Sequence, residues 1–126
     1  MLVACGDDRG TTEPASTPAS TPAPVVTYAP NGEVMEVVAI DNNFLPQALT
    51  VAAGTEVKFA NNGRNDHNVV PEGDLELTTW GVQVEDFLPG DTYSYVFTTP
   101  GTYVYYCTIH GTSTAGMFGS IEVTEP

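Results

Sequence analysis

The sequence predicts an all-β domain, a sandwich or barrel of seven to eight short strands. Three observations carry that prediction. Short runs rich in Val, Tyr, Phe and Thr recur along the chain, turn residues separate them, and no stretch sustains a helical period. With no helix to cover a sheet, the sheets have to cover one another.

The elements follow in order. "EVMEVVAI" (33–40) alternates in part, and Met35 within it is expected in the core. "ALTVAAGTEVKFANN" (48–62) splits into two runs around Gly54. In the second run Val57 and Phe59 fall on one face and Glu56 and Lys58 on the other, the period of a half-buried strand. "HNVV" (67–70) reads as a short strand opened by His67 and stopped by Pro71. "TYSYVF" (92–97) follows the turn Pro89-Gly90, and "TYVYYC" (102–107) follows Pro100-Gly101. "FGSIEV" (118–123) closes the chain. Residues 71–89 are the least regular, with Trp80, Val82, Val84, Phe87 and Leu88 expected to fold over one side of the core. Tyr103, Tyr105 and Tyr106 are expected to be ordinary core and surface rather than an electron relay.

At 126 residues the chain has room for one domain of ordinary size, here residues 28–126. Leu2-Val3-Ala4-Cys5 has the pattern of a lipoprotein cleavage box, so residues 1–10 read as the remnant of a lipoprotein signal. The basic and apolar parts of such a signal belong ahead of the box, where only Met1 stands. Cys5 is the expected lipidation site, and residues 11–27, "TTEPASTPASTPAPVV" and the threonine after it, the linker to the domain. This places the protein outside the cytoplasm, periplasmic or at the cell surface, held to the membrane only by its lipid. No later segment approaches the ~20 apolar residues of a span.

Sixteen acidic residues against Arg9, Lys58 and Arg64 give a formal charge of −13. Nucleic acid is excluded as a partner, since binding it takes basic residues to neutralise phosphates. A protein partner with a basic docking face suits this surface, because opposite fields speed encounter. Solubility alone is the other account of the charge.

The chemistry concentrates in "YYCTIHGTSTAGMFGSIEV" (105–123). The whole chain holds two cysteines, two histidines and three methionines, and this stretch has Cys107, His110 and Met117. His67, after the polar loop "NNGRND", is the other histidine. A thiolate, two imidazoles and a thioether suit copper: two His and a Cys in a trigonal plane with a weak axial Met make a blue-copper electron-transfer site. Zinc takes thioether poorly and prefers closed Cys/His sets. Iron–sulfur clusters need more cysteines. A catalytic Cys–His pair would leave the second His and the Met unused. A buried structural thiol is the remaining account of Cys107.

On these residues the chain resembles the cupredoxins, the family of plastocyanin, pseudoazurin, amicyanin and auracyanin. "FLPQALTVAAGTEVKFANN" is similar to the family's early strand pair, and "DHNVV" to its first histidine and following asparagine. "LPGDTYSYVFTTPGTYVYYCTIHG" and "GMFGSIEV" match the approach to the metal and the exit from it, so the likeness covers residues 33–124. The resemblance implies a Greek-key β-sandwich and one copper ion per chain, held by His67, Cys107, His110 and axial Met117. Asn68 and Thr108 would tie the first-histidine segment to the cysteine loop. The spacing here is C-x2-H-x6-M, against C-x2-H-x4-M in plastocyanin and C-x2-H-x2-M in amicyanin, so the loop after His110 is longer. The function implied is a monomeric electron carrier cycling Cu(I)/Cu(II) between redox proteins, not an enzyme. The alternative is a copper-binding or copper-delivery protein without redox cycling.

Overall fold

The structure, a computed structural model, describes residues 25–126. The expectations for Cys5, the lipoprotein signal and most of the linker lie outside the described residues.

Among these residues the strands are β1 (Val34–Ile40), β2 (Asn43–Leu45), β3 (Ala48–Ala52), β4 (Thr55–Asn61), β5 (Val70–Pro71), β6 (Thr92–Phe97), β7 (Gly101–Gly111) and β8 (Gly116–Thr124). They form two four-stranded sheets, ordered β2-β1-β4-β6 and β3-β8-β7-β5. β1 runs parallel to β4, and β3 parallel to β8. Parallel neighbours cannot be joined by a hairpin. Between β1 and β4 the chain therefore crosses to the other sheet as β3 and returns, which is the crossing pattern of the expected Greek-key sandwich.

The period-2 signal decides what lies between the sheets. On β4, Val57 and Phe59 are fully buried, while Glu56 and Lys58 face outward and sit in register with Val96 and Ser94 of β6. On β7, Tyr105 and Cys107 share the inward face, and on β8 Met117, Ile121 and Val123 do. Cys107 and Met117 thus belong to the same apolar stack as Phe44, Phe59 and Tyr105. Trp80 closes one flank, its ring 6.1 Å from Phe59 and 6.0 Å from Tyr95.

Several expectations are corrected. Met35 is 42% exposed: it shares a face with the buried Val37 and Ala39 but lies near the start of β1, beside the polar Asn31, Glu33 and Thr50. Of the five residues expected over the core, Trp80, Val82 and Phe87 are buried and Val84 partly so, but Leu88 turns outward. It leads into the Pro89-Gly90 turn, where Asp91 N donates to its carbonyl and it donates in turn to the Asp91 carboxylate. His67 does not open a strand. The ladder in that region is Val70–Pro71, with one isolated bridge between Val69 and Val82. Phe44, inside the unanticipated β2, is buried in the core. β7 also continues past Cys107 as far as Gly111.

Candidate metal centre

The strand pair β7–β8 builds most of the site through one irregularity. The ladder pairs Tyr106 with Phe118 and resumes at Gly111 with Gly116. Cys107 to His110 on one strand therefore stand opposite Met117 alone on the other. Such a bulge bends the strand and re-aims its side chains. Here it lets Cys107 and His110, three positions apart, point at one spot.

The longer loop after His110 is taken up beyond the bulge. Gly111 and Gly116 pair, and Thr112 N donates to Ala115 O at 2.8 Å, so "TSTA" forms a closed tip. Gly116 has φ +77°, and a Cβ there would lie 2.6 Å from His110 O. Only glycine fits that close approach in the left-handed region. The chain then re-enters the core at Met117, which is fully buried.

His67 arrives from the other side, between the end of β4 and β5. It is fully buried, as is Cys107, whereas His110 is partly exposed. Cys107 Sγ lies 3.7 Å from His67 Nδ1 and 3.6 Å from His110 Nδ1. The three donor atoms all fall within 4.8 Å of one another, and the imidazole centroids are 4.9 Å apart. An ion about 2.3 Å from a thiolate and 2.0–2.1 Å from an imidazole nitrogen, at trigonal to tetrahedral angles, separates S from N by about 3.6–3.8 Å. The observed spacings fit a single ion. Burial, and next the charge of His110, hold the His67 pKa below its ordinary 6.5, against the weaker opposite pull of Asp41 and Asp66. The neutral imidazole so favoured is the form that binds a metal.

Asn68 and Thr108 join the two halves. Asn68 Nδ2 donates to Thr108 Oγ1 at 2.9 Å, and Thr108 N donates to Asn68 Oδ1 at 2.9 Å. The side chain after His67 thus clamps the backbone after Cys107, as the resemblance implies. Sequence reasoning missed Asn61, whose buried side chain organises the loop ahead of His67. The only signal was its place at a strand end before a glycine turn.

A β-sandwich carrying a buried cysteine and two histidines around one point at its end defines a cupredoxin, a single-copper protein. The chain belongs to the copper-binding plastocyanin/azurin family, whose profile matches residues 34–124. It is 41% identical over 86 residues to the chloroplastic plastocyanin of Physcomitrium patens, covering 64% of this chain and 50% of that one. It thus spans about half the length of the first curated relatives it matches. A reduced amicyanin variant superposes with a TM-score of 0.60 at 25% identity, covering 79% of this chain and 92% of that one. A copper-containing nitrite reductase from Thermus scotoductus gives a TM-score of 0.60 at 28% identity, covering 87% of this chain but 26% of that one.

Proposed function

We propose that the protein is a blue copper electron carrier, with His67, Cys107 and His110 as strong ligands and Met117 as the weak axial one. The observation that carries this is the S–N–N cluster itself, its spacings set for one ion and two of its three donors fully buried. Copper bound there supplies a one-electron couple between Cu(I) and Cu(II). The residues supply the rest. Cys107 and Met117 come from a packed core and His67 from a clamped segment, so the donors hold their positions in both oxidation states. His110 is partly exposed beside Ile109, which is 50% exposed, and offers the edge through which an electron enters or leaves.

The chain has two histidines in all, and both lie in this cluster, which leaves none for a second copper centre of the kind a nitrite reductase requires. The acidic surface suits redox partners that present a basic face. The protein works outside the cytoplasm, tethered through Cys5; membrane release of a Cys5→Ser precursor would support the tether, and retention would refute it. Copper delivery is set apart by repeated chemical reduction and reoxidation in the presence of a Cu(I) chelator. A carrier keeps its copper and a reversible midpoint potential, whereas a delivery protein loses metal in the reduced state.

A further inference from the structure

Asn61 is fully buried at the end of β4, and both its amide N–H groups and its amide oxygen have partners. Nδ2 donates to Asn65 O at 3.0 Å and to Phe87 O at 2.9 Å, and Oδ1 accepts from Gly63 N at 3.0 Å. Its backbone is pinned as well: Asn61 N donates to Asp91 O at 2.9 Å, and Gly90 N donates to Asn61 O at 2.8 Å. One side chain therefore closes the loop between Gly63 and Asn65 on itself and fastens it to the 87–91 segment.

That loop has no ladder of its own. Residues 62 and 64–66 are exposed, and His67 follows directly. Asn68 is held from the far side by Thr108. On the near side, Asn65 O, two residues before His67, is held by Asn61. A buried amide with all its groups paired is costly to disturb and fixes a single arrangement of what it holds. We propose that Asn61 is a positioning residue for the copper site: with Asn68 it brackets His67 and keeps that imidazole in one place in both oxidation states. This rests on the electron-carrier reading. Because the bracket is a property of the chain, part of it is measurable without metal.

The test compares Asn61→Ala with Val57→Ala, a core truncation earlier in the same strand that leaves the amide intact. In the metal-free proteins, amide hydrogen exchange over residues 63–67 should be at least tenfold faster in Asn61→Ala than in Val57→Ala. In the copper-loaded proteins, the electron self-exchange rate should fall at least tenfold in Asn61→Ala and stay within twofold of wild type in Val57→Ala. If the alanine variant does not fold, Asn61→Ser, which keeps one hydroxyl donor, takes its place with the same thresholds. Equal exchange in the two variants, or self-exchange unchanged beside faster amide exchange, overturns the proposal. A wild-type protein with no thiolate–copper absorption refutes the carrier reading instead, and the amide-exchange comparison then decides whether Asn61 holds the His67 segment.

Discussion

The Asn68–Thr108 clamp makes a quantitative prediction. Thr108→Ala removes one of the two 2.9 Å bonds and leaves the other, from Thr108 N, in place. Thr108 is exposed, so water reaches the vacated side, and the cost should be about 0.5–1.5 kcal/mol, the usual net worth of one hydrogen bond. Asn68→Ala removes both bonds at a residue only 4% exposed and leaves Thr108 N without its acceptor. That should cost about 2–3 kcal/mol. Once Asn68 is gone, the Thr108 hydroxyl has nothing left to lose. The double variant should therefore unfold like Asn68→Ala alone, with a coupling energy of about 1 kcal/mol. Urea unfolding of the metal-free proteins, followed by the fluorescence of the single tryptophan, Trp80, measures all four corners of the cycle. Costs that simply add, or an Asn68→Ala cost no larger than that of Thr108→Ala, would refute the two-bond clamp.

Gly116→Ala forces a side chain into a left-handed position 2.6 Å from His110 O, and thermal denaturation should show a loss of roughly 2–4 kcal/mol from strain and clash together. Met117→Leu should retain copper and raise the reduction potential, since losing a weak donor disfavours Cu(II) more than Cu(I); a potentiometric titration unchanged from wild type would remove Met117 from the ligand set. The His67 pKa is lowered in the fold, so its contribution to metal-free stability is complete above about 6.5 and is lost as pH falls below that value. Melting of the metal-free protein between pH 7.5 and 5 should show this decline, and His67→Gln should flatten it. Asp74, held near 2 first by the Thr78 backbone donor and also by Thr79, contributes its own loss only below about pH 3.8, so the two windows separate.

The sandwich was legible because its signal is local. Val57 and Phe59 alternate with charged neighbours, and paired turn residues precede β6 and β7. The His67–Cys107–His110 cluster was legible for the same reason: Cys107 and His110 lie close in sequence, and His67 was the one histidine left to join them. What stayed hidden depends on long-range packing. Met35 sits on a strand whose pattern suits the core, but it falls near the start of that strand, beside Asn31, Glu33 and Thr50 brought there by the fold. Leu88 looks like core until the turn to Asp91 directs it outward. His67 adjoins a strand-like run, yet the loop before it is shaped by an asparagine whose side-chain partners lie up to 26 positions away. The spacing showed a longer loop between His110 and Met117 but not the path it takes. The Gly111–Gly116 pair that returns the chain to the core is a feature of the folded ladder.

In the proposed carrier, Cys107 sulfur and the two imidazoles meet at one copper ion. Visible and electron paramagnetic resonance spectra of Cu(II)-loaded wild type and Cys107→Ser test it most directly. The wild type should show an intense charge-transfer band from the thiolate. The serine variant should keep its β-sheet circular dichroism and lose that band, with any bound Cu(II) giving only a weak, ordinary spectrum. A Cys107→Ser protein that remains strongly coloured, or a folded wild type that takes up Cu(II) without the band, would contradict the assignment.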